Sequence, residues 1–210
     1  MTVRSVIKNK AMPRTPEQYE QMRQEKRRKI MDVALELFAS KGYHATSVAK
    51  IAEKADISKG LLYNYFESKD DLLKEIAQVG FQEVYENLDI NHDGVLTEEE
   101  FVYFIDRLIE IINKNKKFWL FYTHILMQPN VVDFVGTQLR ESFVPVVQIL
   151  MNYLKEEGFE DPAGELFFLS STLKGATLQL LFSPLDFDIS PVRDRIVKLY
   201  AKNTTVDHKI

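Results

Sequence analysis

Residues 45–73 read ATSVAKIAEKADISKGLLYNYFESKDDLL, and the fold turns on this stretch. It has the proportions of a helix-turn-helix: a short amphipathic helix from Ser47 to Lys54, a tight turn at Ala55-Asp56-Ile57, and a second short helix from Ser58 to Phe66. Ser47 and Ser58 stand at N-cap positions, where a hydroxyl accepts from the free amides of a first turn. On the second helix Leu62 and Phe66 lie four apart and point inward with Ile57. The opposite face carries Ser58, Lys59, Gly60, Leu61, Tyr63 and Asn64, and it suits a major groove. Gly60 permits close approach, Asn64 has the amide to read a base edge, and the hydroxyls and Lys59 hold phosphates. Ser68 opens a third, longer helix, with Asp71 completing a capping box. Lys69 in its first turn opposes the helix dipole at a cost of ~0.3–1 kcal/mol. Beside free N–H groups, the same cation makes a phosphate site.

Working outward, the preceding segment IMDVALELFASKGYHATS places Ile30, Val33, Ala34, Leu37 and Phe38 on one stripe of a helix over 24–40. Gly42 sits where a C-cap glycine would. Residues 26–75 together resemble the DNA-binding domain of TetR-type transcriptional regulators, and the SKGLLYNYFxSKxxLL run is specific to it. The resemblance implies that Ser47 touches a phosphate and that Ser58, Lys59, Gly60, Leu61 and Asn64 lie on or near bases. It puts Tyr63, Tyr65 and Lys69 on backbone phosphates, although periodicity alone would bury Tyr65. It also implies an all-helical homodimer acting on a palindromic operator, most simply a repressor released by an effector. A two-fold protein matches half-sites about 34–36 Å apart. GELFFLSSTLKGATLQLLF and PVRDRIVKLYA look like the last two helices of that family, which pair across the dimer as a four-helix bundle.

The expected fold class is therefore all-α: an N-terminal three-helix DNA-binding domain over 23–68 and a helical ligand-binding and dimerisation domain over 69–205. Helices are expected at 68–88, 98–115, 117–127, 131–157, 162–182 and 190–201. Residues 1–22, with Arg4, Lys8, Lys10 and Arg14, read as a flexible arm. Charge supports the division. Residues 1–74 hold fifteen Lys or Arg against ten Asp or Glu, whereas the remainder holds twelve against twenty-one. A basic module on an acidic body points to a polyanion partner.

Composition narrows the classes further. The 210 residues are 45% hydrophobic and 28% charged, so a folded core is within reach. With no cysteine, no apolar run of membrane-spanning length and no apolar leader core, the expectation is a soluble cytoplasmic protein with no membrane partner. Eight scattered glycines make no phosphate-cradling loop. No acid–base pair or nucleophile–base arrangement stands out, so the expectation is a protein that is not an enzyme.

A second constellation lies outside the usual pattern of that family. Residues 89–100, DINHDGVLTEEE, fit D-x-[DN]-x-[DN]-G-x5-E at every required position and resemble an EF-hand calcium loop. Calcium needs oxygens converging from one tight turn: Asp89, Asn91 and Asp93 at the first, third and fifth positions, and the Val95 carbonyl at the seventh. Thr97 then stands at the ninth and Glu100 closes the shell at the twelfth. Residues 81–100 carry seven acids and no Lys or Arg, a charge that repels itself without a cation. The metal-free reading is that Asp-Gly and Asn are turn residues and that Thr97-x-x-Glu100 is a capping box. A single loop implies affinity of ~10⁻⁵–10⁻³ M for Ca²⁺. His92 occupies a non-liganding, exposed position. Because the helix from Ser68 feeds directly into Asp89, calcium there would bias the DNA reader's geometry, or else only staple two helices. The rival function is a calcium sensor or buffer acting on a protein partner through a helical groove. In the aromatic-rich middle, Trp119, Tyr122, His124 and Met127 are candidates for a small-molecule effector pocket, with His124 read more simply as a satisfied core histidine.

Overall fold

Side-chain caps start most of the helices. The computed structural model describes residues 15–86, 88–183 and 188–201. Among them the chain is helical, with no strand. α1 (Pro16–Lys41) begins at a reciprocal capping box between Thr15 and Gln18, with proline at its first position. It ends at Gly42 (φ 89°), whose N–H returns to Phe38 O at 3.0 Å. Residues 16–22, expected within a flexible arm, are therefore the first turns of α1. The cap starts the helix, and the Glu, Gln, Met and Arg that follow propagate it before any core contact is made. Residues 1–14 of that arm, including its four basic residues, lie outside the described residues.

α2 (Val48–Lys54) and α3 (Lys59–Tyr63) are capped by Ser47 and Ser58, whose Oγ atoms accept from Lys50 N at 3.3 Å and Leu61 N at 3.1 Å. α3 stops short of the expected Phe66 because the chain tightens into turns, with Tyr65 N bonding Leu62 O. Ser68 caps α4 (Lys69–Tyr85) through Asp71 N, but the expected reciprocal bond lands one residue earlier, with the Asp71 carboxylate accepting from Glu67 N at 3.0 Å. α5 (Glu98–Lys114) follows the acidic loop, and α6 (Lys116–Leu126) turns back along α1.

The single helix expected over 131–157 is two, α7 (Pro129–Gln138) and α8 (Arg140–Glu156), interrupted at Leu139 (φ −100°, ψ 7°). Val131, Val135, Leu139 and Phe143 keep a spacing of four across the joint, so periodicity reads straight through the break. α9 (Pro162–Phe182) packs on α8, and α10 (Ser190–Tyr200) on α5.

Two apolar clusters organise these elements. The first joins α1–α4 to α6 and α7 through Phe38, Leu62, Phe66, Leu72, Trp119 and Val131. The second gathers α5, α8, α9 and α10 around Phe101, Tyr153, Leu154 and Tyr200. α4 spans both: its first turns bury Leu72, Leu73 and Ile76 with the helix-turn-helix, and Val84 and Tyr85 reach the second cluster. Gly80 on α4 lets α6 approach closely, since a Cβ there would collide with the Tyr122 ring. The Tyr122 hydroxyl then donates to Ala77 O at 2.8 Å.

Candidate nucleic-acid interface

α3 is a small platform with a buried underside and a polar top. Leu62 and Phe66 are fully buried and Ile57 packs beside them, while Ser58, Lys59, Gly60, Tyr63 and Asn64 are exposed and Leu61 is half-exposed. The sequence-expected reading face is thus brought together on one side of one helix. A Cβ built on Gly60 meets nothing within 4 Å. Packing within the chain therefore does not require glycine at this position. Ser47 and Ser58 spend one lone pair each on a helix amide, which leaves each hydroxyl proton free to donate outward. Lys59 Nζ stands 6.0 Å from the Tyr63 ring centre, at the edge of cation–π range. Tyr65 is half-buried against the first cluster, as its periodicity implies.

Lys69 does more than the sequence suggested. Its ammonium donates to Tyr43 O at 2.9 Å and Thr46 O at 3.1 Å, and sits 4.3 Å from the Tyr43 ring centre. It therefore pins the turn between α1 and α2, with one N–H of three left for a phosphate. The same turn is held by the Tyr43 hydroxyl donating to the Asp70 carboxylate. Burial, reinforced by that carboxylate, pushes the phenol above its ordinary range. Buried Thr46 donates its hydroxyl to Gly42 O at 2.8 Å. Arg27 fixes the other end of α3: it donates to Tyr65 O at 2.9 Å, pairs with Glu75 and covers the Phe66 ring. Sequence reasoning missed Arg27, Tyr43 and Glu75, whose contacts join residues tens of positions apart, and Thr46, whose carbonyl meets Lys69 from 23 positions on.

The acidic loop folds on itself. Asp89 accepts from Gly94 N at 2.8 Å and Asp93 N at 3.2 Å, and Asp93 from Val95 N at 2.8 Å, with His92 (φ 58°) and Gly94 (φ 81°) left-handed. Asn91 donates to Asp93 at 2.9 Å. Glu100 is only 9% exposed; its carboxylate accepts from Ile90 N and from Thr97 N and Oγ1, so Thr97 and Glu100 form the capping box of α5. Among the described residues, no three His, Cys, Asp or Glu side chains converge as a metal cage. Leu88 and Leu96 bury both ends of the loop in the second cluster, and His92 is exposed.

The four expected pocket residues do not converge. Trp119 and Tyr122 are core, with Nε1 and OH satisfied by Ile111 O and Ala77 O, and burial raises the Tyr122 phenol. His124 and Met127 lie on the other side of α6 and are exposed, so His124 is not the core histidine expected either. Helical period separates 119 and 122 from 124 and 127. A small apolar slot lies instead between α5, α9 and α10, lined by Ile105, Ile109, Leu173 and Ile196, with Arg193 at its edge. Its enclosed space of about 10 Å³ holds about one water. Arg193 grips Asp106 with two bonds of 2.7 and 2.8 Å.

Residues 30–76 match the family of bacterial regulatory proteins, tetR family. This part of the chain is a TetR-family helix-turn-helix domain. Over 125 residues, 59% of the chain, the sequence is 32% identical to the uncharacterized HTH-type transcriptional regulator YuxN of Bacillus subtilis, covering 38% of that protein. Over 126 residues, 60% of the chain, it is 32% identical to the fatty acid metabolism regulator protein of Bacillus subtilis, covering 59% of it. The chain thus spans less than two thirds of either curated relative. Beyond the TetR-type domain, the fold is shared with the transcriptional regulator FadR from Bacillus subtilis, solved in complex with stearoyl-CoA. That likeness has a TM-score of 0.62 at 18% identity, over 85% of this chain and 99% of that one. No helix among the described residues is long and apolar enough to cross a membrane.

Proposed function

We propose that this protein is a DNA-binding transcriptional regulator of TetR type, not an enzyme: a repressor that binds a palindromic operator as a homodimer in the cytoplasm and is released by a fatty acyl-CoA. The observation that carries the reading is the exposed Ser58–Asn64 face on a fully buried base, within a matched TetR-family domain. Support for the dimer comes from α8 and α9 rather than from the α9–α10 pair that the sequence suggested, since α10 packs on α5: Val144 (58% exposed), Val147, Phe167 (76%) and Phe168 leave a broad apolar face to solvent. Support for an acyl-CoA comes from the fatty acid regulators among the relatives. The test is fluorescence anisotropy on a duplex selected from random DNA. Affinity falls steeply with salt, by ~10³–10⁵ between 50 and 200 mM for six to ten phosphate contacts. Micromolar stearoyl-CoA then releases the duplex. Salt-insensitive binding would return the chain to the sensor reading, and no release would remove the acyl-CoA.

The acidic loop supports a second element, a calcium site that modulates the regulator through Asp89, Asn91, Asp93, the Val95 carbonyl, Thr97 and Glu100. The loop already has the tight, Gly94-centred turn that such a site needs, and the Glu100 carboxylate already reaches back to Ile90. Ion binding exchanges the capping-box bonds of Glu100 for metal. Calcium at 100 times its dissociation constant would add about 2.7 kcal/mol of stability. A melting temperature equal in calcium and in chelator, or a shift that survives Glu100→Gln, removes the site. Equal calcium affinity with and without operator removes the coupling.

A further inference from the structure

Gln128 stands at the corner between α6 and α7 and occupies the N-cap position of α7, yet its side chain makes no capping bond there. Its amide instead crosses to the end of α1. Nε2–H donates to Phe38 O at 3.1 Å and Oε1 accepts from Tyr43 N at 3.1 Å. Phe38 O is among the last carbonyls of α1, and Tyr43 N is the first amide after the Gly42 cap, so the two belong to one helix exit. A primary amide offers a donor and an acceptor a short distance apart, which this pair requires. A carboxylate can answer only Tyr43, an ammonium only Phe38, and an aliphatic chain neither. Asn130, two residues on, adds a contact of 3.1 Å from Nδ2 to His44 Nε2 on the same turn.

The gripped turn positions the reader. Its carbonyls at Tyr43 and Thr46 are held by Lys69 at the start of α4, and Ser47, which follows at once, caps α2. Holding that turn fixes α1, α2 and α4 with respect to the α6–α7 corner, and the corner belongs to the part of the chain that carries no DNA-reading residue. We infer that Gln128 is a positioning residue that sets the attitude of the helix-turn-helix on the α6–α7 corner, and thereby its affinity for DNA. The inference rests on the proposed function for its DNA readout, and on the geometry alone for its structural one.

The experiment compares the wild-type 210-residue chain with Gln128→Leu and Gln128→Glu. Backbone amide exchange is followed over residues 42–54, with residues 148–156 of α8 as an internal reference, and affinity is measured for the selected duplex. In Gln128→Leu, exchange over 42–54 rises tenfold or more while the reference is unchanged, and duplex affinity shifts by tenfold or more. Gln128→Glu, which keeps the Tyr43 bond and loses the Phe38 bond, falls between. Should Gln128→Leu fail to fold, the intermediate values of Gln128→Glu carry the same test. Wild-type exchange over 42–54 in both variants, or a rise shared equally by 148–156, overturns the inference, as does unchanged duplex affinity. If the wild type selects no duplex, the regulator reading has failed, and local exchange over 42–54 still decides whether Gln128 positions that turn.

Discussion

Two turns in this chain share a plan and differ in what holds them. Each follows a helix, bends at a glycine with positive φ (Gly42 at 89°, Gly94 at 81°), and ends at a hydroxyl that caps the next helix, Ser47 or Thr97. The turn at 42–47 is held from a distance. Lys69, Asp70 and Gln128 reach it from α4 and from the α6–α7 corner. The loop at 88–97 is closed by its own carboxylates between the buried Leu88 and Leu96, and among the described residues its side-chain hydrogen bonds reach no farther than from Glu100 to Ile90. A turn knitted into three elements keeps its shape without a ligand and passes strain between them. A turn closed by its own negative charge gains most when a cation arrives. The difference teaches why the first suits a fixed platform, and why the proposed calcium site, if it acts, would act at the second.

The comparison breaks most visibly at Lys69. Lys69→Met removes the donor from two carbonyls and should cost about 1–3 kcal/mol in urea denaturation. A loss no larger than that of an exposed control, Lys59→Met, would show that the distant grip is not what holds the turn. Thr46→Val, close in shape, removes one buried hydroxyl and should cost about 1 kcal/mol, with duplex affinity reduced in parallel. In the acidic loop, Gly94→Ala places a side chain at φ 81° and should cost about 1 kcal/mol in chelator, while leaving duplex affinity within twofold. A large loss of DNA binding there would mean the loop is wired to the reader even without an ion. Gly60→Ala sharpens the contrast with the opposite sign: helix propensity raises stability by about 0.5–1 kcal/mol, while duplex affinity falls because a methyl stands where the groove approaches. Unchanged affinity would remove Gly60 from the interface.

Much of the reader was legible from local signals. The serine caps, the inward pair Leu62 and Phe66, the polar face of α3 and the Gly42 stop all depend on residues within a turn or two of one another. What was not legible depends on distance. The Arg27–Glu75 pair spans 48 positions and the Gln128 clasp 85 and 90, and no periodicity encodes either. Lys69 shows what local logic leaves out: a cation in a first turn reads as a phosphate site, and two of its donors also hold the neighbouring turn. The α7–α8 joint was hidden because its apolar spacing runs unbroken, and the aromatic-rich α6 suggested a pocket where Trp119 and Tyr122 are packed core.

The most direct test is selection of bound duplexes from a random DNA pool, run in parallel with calcium and with chelator. Enrichment of a palindrome with half-sites about 34–36 Å apart is the expected result for a two-fold reader using α3. Enrichment of nothing in either arm, from a folded protein free of bound acyl-CoA, would contradict it.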